Sequence, residues 1–392
     1  MDVPEILDVI LVLLFGTGVS WVCQRYRLPA AVAHVLLGVI LGGAVLGWVS
    51  HGTLIHFLGE IGVILLLGAA GLEIGVERLK EAGSAGIAVA LLGILFSLSG
   101  GYFLGRFFGS LPPEAFYIGL MLAATSIGIG TQILQQYRLI DHRVGEIVIA
   151  AAVIDDVIAL YLLAAAHGIL SNNAGITDIL VHLVGAIALF GSLYWLFKSL
   201  TSSLIRRRWI GESWLLVAWV IGAIFASALL SDALEFSAVV GGFFAGVGIG
   251  DGLKRDVRQY SIHAVEPLIW ITMPFFFVMI GVQAQWTALS TPGSRWFLLL
   301  LLAIAVFGKA LGGFLGAAMR KARERWLIGF SMVARGEVAL VIATLGLQQG
   351  HIADEIFVSL VLATISLAVL GPLLMTPFAK SVAADVKIAG AH

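Results

Sequence analysis

The chain has 392 residues, of which 60% are hydrophobic and 12% are charged, and its formal net charge is −1. A soluble globular domain carries about 25% charged residues, so this chain has too few charges to cover a water-facing surface. The composition excludes soluble enzymes, disordered proteins and nucleic-acid binders, and it predicts an integral membrane protein. The single cysteine, Cys23, excludes an internal disulfide and a thiolate metal cluster.

Apolar segments recur along the whole chain, and we count thirteen that can form membrane helices. A bilayer core of about 30 Å needs about 20 helical residues. Predicted helices 1 to 13 span residues 5–24, 30–49, 53–74, 84–109, 113–136, 143–169, 176–198, 213–230, 235–250, 264–285, 295–318, 326–348 and 355–378. The N-terminus lacks the basic residues of a cleaved signal peptide, so we expect helix 1 to remain in the mature protein.

The lysines and arginines between the helices alternate in number along the chain. Nearly all follow an odd-numbered helix, as do Arg206–Arg208 and Arg320–Arg325, whereas only Arg106 and Arg295 follow an even-numbered one. Basic residues concentrate on the cytoplasmic side of a membrane. The sequence therefore predicts an outside N-terminus and a cytoplasmic C-terminus, with Arg206–Arg208 against anionic lipid. All-helical spans without a transit peptide favour a bacterial inner (plasma) membrane.

Helices 3 to 5 resemble helices 10 to 12 at an offset of 210 residues. Tyr117–Ala124 resembles Leu327–Ala334, and Gly71–Glu73 resembles Gly281–Gln283. Because the shift of seven helices is odd, the two copies must have opposite orientations in the membrane. We predict a single transmembrane domain with two six-helix inverted repeats, an architecture typical of secondary transporters. The first repeat, the linking helix and the second repeat span about 5–169, 176–198 and 213–380.

Two aspartates, Asp155 and Asp156, lie in the middle of apolar helix 6. A charge at the bilayer centre costs several kcal/mol and by default marks a functional site. Adjacent helical positions differ by about 100° in direction, so the two carboxylates face different neighbours. Lys309 lies at a similar depth in helix 11 and is the predicted cationic partner of the pair. A structural ion pair with a spectator aspartate is the alternative.

Two helices contain sequences that predict an interruption. In helix 5, Thr125 and Ser126 precede alternating glycines, so that hydroxyls and freed carbonyls can ligate a hard cation. Ordinary packing of small residues is the alternative. At the equivalent place in helix 12, Arg335 and Glu337 flank a glycine, and we expect them to neutralise exposed helix ends rather than to ligate an ion. Glu73, near the end of helix 3, is expected to pair with Arg335 or to meet water.

Together these motifs resemble those of cation:proton antiporter family 2, in the Na⁺/H⁺ antiporter group with the NhaA-like fold. The matching motifs are Ala124-Thr125-Ser126, Val153-Ile154-Asp155-Asp156, Gly308-Lys309, Ala334-Arg335-Gly336-Glu337-Val338 and Gly71-Leu72-Glu73. The resemblance covers essentially the whole chain. It implies an elevator-type Na⁺(Li⁺)/H⁺ antiporter, usually a homodimer, in which helices 4–6 and 11–13 form a moving core and helices 5 and 12 are broken where they cross.

The resemblance also implies roles for individual residues. Asp156 is the carboxylate for which Na⁺ or Li⁺ and protons compete, and Thr125 and Ser126 supply further oxygen ligands. Asp155 pairs with Lys309 in part of the cycle, and an Asp-Asp pair with a lysine is typical of the electrogenic subgroup that moves two protons per sodium. Kef-type potassium-efflux relatives have Gln-Asp at this place. The chain ends soon after helix 13, so we expect no cytoplasmic regulatory domain and no cofactor besides the transported ions.

Three alternative functions remain open from the sequence. The same fold can move K⁺ in exchange for protons, because the ligand shell decides the ion. A cation channel is less well supported, since it does not need a titrating carboxylate pair with a lysine. An intramembrane aspartyl protease is suggested by the Gly-x-Gly-Asp pattern at Gly248–Asp251, but Asp251 lies at the edge of a span, and the chain contains no Tyr-Asp pair.

Overall fold

The fold is known from a computed structural model, which describes residues 3–389 except 27, 51, 82, 141, 171–175, 208, 210–213, 235, 285 and 287–290. These described residues form fifteen α-helices, and the predicted all-α polytopic architecture is confirmed. The helices are α1 (Val3–Tyr26), α2 (Ala30–Leu41), α3 (Thr53–Glu81), α4 (Gly83–Phe107), α5 (Pro112–Ala123), α6 (Ile127–Gln136), α7 (Arg143–Leu170), α8 (Ile176–Arg206), α9 (Trp214–Ala233), α10 (Ala238–Gly252), α11 (Arg255–Gln283), α12 (Pro292–Gly316), α13 (Ala322–Ser331), α14 (Glu337–Gln348) and α15 (Asp354–Ala389).

Predicted helices 5 and 12 are each divided into two pieces, so that thirteen predicted helices correspond to fifteen observed ones. Residues 124–126 separate α5 from α6, and residues 332–336 separate α13 from α14. The expected interruption of these two helices is confirmed. Within the described residues, ten helical segments are long and apolar enough to cross a membrane, and the shorter apolar helices are Ala30–Leu41, Ala238–Gly252 and Glu337–Gln348.

Several helix ends differ from the predicted boundaries. α2 ends at Leu41, well before the predicted residue 49, because the chain turns through consecutive glycines to Gly47, whose φ of +64° suits the left-handed region. In contrast, α11 begins at Arg255, before the predicted residue 264, and α15 continues to Ala389. Hydropathy locates apolar runs, whereas helical hydrogen bonding continues into the polar residues that flank them.

The helices divide into two compact units. Unit 1 contains Met1–Val22, His34–Arg78 and Leu160–Gln283, and unit 2 contains Cys23–Ala33, Leu79–Ala159 and the described residues from Ala284 onwards. Unit 2 therefore holds α4–α6, most of α7 and α12–α15. These are the helices that the family resemblance assigns to the moving core.

Glycines bring the backbones of unit 2 into direct contact at two equivalent places. A Cβ added to Gly101 of α4 would lie 2.6 Å from the Cα of Gly119 in α5. Likewise, a Cβ added to Gly313 of α12 would lie 2.5 Å from the Cα of Gly329 in α13. Small residues allow such close approach between membrane helices. Because Gly119 and Gly329 are related by the offset of 210 residues, this recurring contact supports the predicted internal repeat.

In unit 1, α10 is the central helix and is buried along most of its length. Its glycines pack against neighbouring backbones: a Cβ on Gly250 would lie 2.5 Å from the Leu72 carbonyl oxygen of α3. At the end of α10, Asp251 Oδ2 accepts a hydrogen bond of 2.8 Å from the Tyr194 hydroxyl of α8. The Lys198 ammonium donates to the same tyrosine oxygen at 2.8 Å. This network fixes α8 to α10.

Candidate ion-binding site

The two interrupted helices of unit 2 meet at their breaks. The backbone N–H of Ser126, between α5 and α6, donates a 2.9 Å hydrogen bond to the carbonyl of Ala334, between α13 and α14. A Cβ added to Gly336 would lie 2.8 Å from the Ser126 hydroxyl oxygen. The absence of a side chain at Gly336 therefore lets the second break approach the first. The meeting point places non-helical backbone inside the unit, as in transporters whose binding sites lie at broken helices.

Arg335 connects the two breaks through its guanidinium group, which is fully buried. One terminal nitrogen donates to the carbonyl of Leu122 at 2.5 Å, near the C-terminal end of α5. The other donates to the carbonyls of Met332 at 3.0 Å and Val333 at 3.2 Å, just after the C-terminal end of α13. A helix C-terminus carries partial negative charge. The arginine thus stabilises two half-helix ends at once, which supports its predicted charge-compensating role.

Glu337 lies at a helix N-terminus, because it is the first residue of α14. A helix N-terminus carries partial positive charge, so a carboxylate is favourable there. The contacts of Arg335 and the position of Glu337 give each charge of the Arg335-Gly336-Glu337 motif a helix end of opposite sign. Charge compensation of the break by these two residues stays a prediction, with which these positions agree.

Asp155 of α7 is fully buried and lies in an ion pair with Lys309 of α12, which is also fully buried. Its Oδ2 atom accepts hydrogen bonds from the Lys309 ammonium at 2.5 Å and from the Thr125 hydroxyl at 2.8 Å. The pairing of Lys309 with Asp155 is therefore present in this structure. In this state the Thr125 hydroxyl is engaged with Asp155, so its expected use as a cation ligand requires that hydrogen bond to be exchanged.

Asp156, the next residue of α7, has a different environment. Its side chain is buried except for 8% of its surface. Its Oδ1 atom, like that of Asp155, has no hydrogen-bond partner among the described residues. Asp155, Glu337 and Lys309 are the charged groups that interact electrostatically with the Asp156 carboxylate. The backbone N–H of Thr125 lies within hydrogen-bonding reach of the same carboxylate. Two of those three charges are negative. Lys309 pairs directly with Asp155, whereas Asp156 forms no ion pair with the described residues.

Glu73 lies in unit 1, within the last third of α3, and its side chain is exposed. It lines an open cavity of about 290 Å³, whose other lining residues are Arg255, Arg258, Gln259, Ile262, His263 and Glu266. The hydrogen bonds given above for Arg335 all go to carbonyl oxygens of unit 2. The assignment of Glu73 to charge compensation at the helix breaks therefore stays a prediction.

The sequence did not predict that Gly93 packs against the Lys309 side chain. A Cβ added to Gly93 of α4 would lie 3.2 Å from Lys309 Cδ and 3.5 Å from its Nζ. Any larger residue at position 93 would therefore have to displace the Lys309 side chain. The spacing of Gly308, Gly312 and Gly316 on α12 indicates a close helix–helix contact, but it does not reveal that Gly93 lies opposite.

Gly336→Ala is expected to lower, by about tenfold, the transport activity that the sequence predicts, because its methyl group has to displace the Ser126 side chain at the meeting point of the breaks. The matched control is Gly128→Ala, since a Cβ there would meet no described atom within 4 Å. Initial rates of cation-driven proton exchange in proteoliposomes measure the effect. Equal rates for the two variants would show that the close approach of the breaks does not matter for transport.

Broken helices that meet beside buried, partly unpaired carboxylates define the class of protein as a secondary transporter of a small cation. The transmembrane model of the sodium/hydrogen exchanger family matches residues 9–381, and the chain belongs to this family. The protein is therefore a cation/proton antiporter and a multi-pass membrane protein, and the prediction that it is not an enzyme is confirmed.

Individual relatives match over nearly the full chain. A Na⁺/H⁺ antiporter of Enterococcus hirae is 30% identical over 389 residues, covering 97% of this chain and 100% of the relative. The Na⁺/H⁺-K⁺ antiporter GerN of Bacillus cereus is 31% identical over 377 residues, covering 95% of each. The solved structure of the sodium/proton antiporter MjNhaP1 from Methanocaldococcus jannaschii superimposes with a TM-score of 0.75 and 18% identity over 96% of this chain and 97% of that chain, which shows a shared fold.

The aspartyl protease alternative is wrong. Family membership makes the protein a transporter. In addition, Asp251 of the Gly-x-Gly-Asp pattern accepts a hydrogen bond from Tyr194 and lies 3.6 Å from the Lys198 ammonium. The aspartate thus belongs to the contact between α8 and α10 described above.

Proposed function

We propose that the protein exchanges Na⁺ or Li⁺ for protons at Asp156. The observation that carries this proposal is the asymmetry of the aspartate pair: Asp155 forms an ion pair with Lys309, whereas Asp156 forms none with the described residues. The Oδ1 atom of each carboxylate has no hydrogen-bond partner in the described part of the chain. A buried, uncompensated carboxylate is costly. Binding of either a proton or a dehydrated cation removes that cost, so the two ions compete for one group.

Competition at one carboxylate is sufficient to couple the two fluxes. An occupied site is close to neutral, and its passage across an apolar barrier costs less than that of an empty, charged site. The carrier then changes its orientation mainly with Na⁺ or with a proton bound. Thr125 and Ser126 lie at the break beside Asp155 and supply further oxygen ligands for the cation, once the Thr125 hydroxyl exchanges its hydrogen bond.

The proposed transport is electrogenic, with two protons moved per sodium ion. This stoichiometry comes from the resemblance to the Asp-Asp subgroup, and Asp156 and the Lys309–Asp155 pair are the proton-carrying groups. Each net charge that crosses the membrane gains or costs about 2.3 kcal/mol per 100 mV of membrane potential. A membrane potential, negative inside, therefore drives Na⁺ extrusion even when no pH gradient exists.

The proposed movement is of the elevator type, with unit 2 as the body that carries the site. All the proposed ion-binding residues, Lys309 and both helix breaks belong to that unit. We further propose that the protein is a homodimer in a bacterial inner membrane, with its N-terminus outside and its C-terminus in the cytoplasm, in agreement with the distribution of its basic residues.

A K⁺/H⁺ antiporter with the same mechanism is the second candidate. It is favoured by the relative from Bacillus cereus, whose name includes both sodium and potassium. The two ions differ in size and in the energy of dehydration, and the positions of the oxygen ligands in the cation-bound state decide between them.

Ion replacement in proteoliposomes tests the proposal. A pH gradient is imposed, a fluorescent pH dye reports the lumen, and NaCl, LiCl, KCl or choline chloride is added. We expect recovery of the dye signal with Na⁺ and Li⁺ and none with choline. Recovery with K⁺ alone would keep the mechanism and change the ion, and no recovery with any cation over a broad pH range would contradict antiport. Repeating the assay with the membrane potential clamped measures electrogenicity.

A further inference from the structure

Ser97, in the middle of α4, is a buried polar residue that the mechanism above does not use. It is fully buried, and its hydroxyl has no hydrogen-bond partner in the part of the chain that the structure describes. Other buried hydroxyls of unit 2 satisfy themselves by donating to the carbonyl one turn earlier, as in Ser331 to Leu327 and Thr344 to Leu340. An unpaired buried hydroxyl costs free energy, so this exception calls for a functional explanation.

Ser97 lies on the face of α4 that packs against the Lys309 region of α12. A Cβ added to Gly308, the residue before Lys309, would lie 3.1 Å from the Ser97 hydroxyl oxygen. The lysine side chain itself passes Gly93, as described above. Gly93 and Ser97 are four residues apart and therefore lie on the same face of the helix, one turn of about 5.4 Å from each other. Ser97 therefore lies about one helical turn from the place that the lysine side chain passes.

The proposed transport cycle creates a need for such a neighbour. When a cation binds at the aspartate pair, the Lys309–Asp155 hydrogen bond of 2.5 Å has to weaken or open. The lysine amine would then lie fully buried without its acceptor. An unpaired buried ammonium is strongly unfavourable. A hydroxyl suits either protonation state, because it accepts a hydrogen bond from an ammonium and donates one to a neutral amine.

We propose that Ser97 is a positioning residue that receives the Lys309 amine when Asp155 releases it. This inference rests on the proposed function and adds a residue to it. Ser97 stabilises the cation-bound state, in which the pair is open, and contributes nothing to the state seen here, in which the pair is closed. Its loss should consequently weaken cation binding without weakening the cation-free fold.

Ser97→Ala tests this role through the split between KM and maximal rate. Because the hydrogen bond between Ser97 and Lys309 exists only in the cation-bound state, its loss is expected to raise the KM for the transported cation about tenfold. The maximal rate should stay within about twofold of wild type. The substitution raises the free energy of the cation-bound state and of the transport transition state by the same amount, so the barrier between them is unchanged. Ser97→Cys keeps the size of the side chain with a weak hydrogen-bonding group and should behave like the alanine variant. Ser359→Ala is the matched control, because Ser359 is also buried in unit 2 but donates to the Glu355 carbonyl at 3.1 Å.

Thermal unfolding in detergent separates positioning from simple packing. The cation-free Tm of Ser97→Ala should equal or exceed that of wild type, whereas the rise in Tm on adding the cation should shrink. A lower cation-free Tm with an unchanged cation-induced rise would overturn the proposal, as would a KM equal to that of the control variant. Wild-type protein without any cation-dependent exchange would instead overturn the proposed function, and this inference with it.

Discussion

Asp156→Asn is expected to lower cation-dependent proton exchange to background, a loss of about hundredfold or more. An amide has nearly the shape of the carboxylate but can neither release a proton nor neutralise a bound cation. The variant also removes a buried carboxylate that forms no ion pair with the described residues, so its Tm should equal or exceed that of wild type. Initial rates in proteoliposomes, measured together with thermal unfolding, check both expectations.

The matched control for this variant is Asp385→Asn. Asp385 lies on α15 in the same unit and is partly exposed, with its carboxylate 3.4 Å from Arg323. An exposed ion pair contributes little to stability, so transport should stay within about twofold of wild type. Activity that survives in Asp156→Asn but disappears in Asp155→Asn would move the exchange site to the first aspartate.

Much of the fold could be predicted from the sequence, because the membrane imposes simple constraints. Each span must be apolar and long enough, and the basic residues between spans must alternate between the two sides. The same constraint allowed the site to be predicted. Asp155, Asp156 and Lys309 are conspicuous in the sequence because charges are energetically costly in apolar helices. The breaks between α5 and α6 and between α13 and α14 could also be predicted. The second was expected because Arg335-Gly336-Glu337 has no favourable place inside a continuous membrane helix.

The hydrogen-bonding partners within the site could not be predicted in the same way. Sequence periodicity does not show that the Thr125 hydroxyl binds Asp155, or that Arg335 reaches the Leu122 carbonyl of another helix. Gly93 gave no signal, because its importance lies in the lysine that passes over it. These contacts depend on tertiary packing between segments that are distant in the chain. The length of α2 was overestimated for the same reason. The apolar run continues beyond Leu41, but the helix ends there because the chain turns at the glycines that follow.

Arg335→Met is expected to destabilise the fold by about 3–5 kcal/mol, because several buried carbonyl groups lose a charged hydrogen-bond donor. The substitution leaves the carbonyls of Leu122, Met332 and Val333 without the guanidinium that now binds them. Two half-helix C-termini would then face each other with partial negative charges in a buried place. We expect a large fall in Tm and poor yield of folded protein, measured by thermal unfolding and size-exclusion chromatography in detergent.

Arg335→Lys distinguishes charge from geometry at the same position. Lysine keeps the positive charge but lacks the planar fork that allows a guanidinium to bind carbonyls of two chain segments simultaneously. We therefore expect an intermediate loss of stability and a reduced transport rate. Arg320→Met serves as the control, because Arg320 is partly exposed and lies 3.9 Å from Glu324 in a weak surface pair. If Arg335→Met unfolds at the wild-type temperature but does not transport, the arginine acts in the transport step itself, and the structural account of the two breaks is wrong.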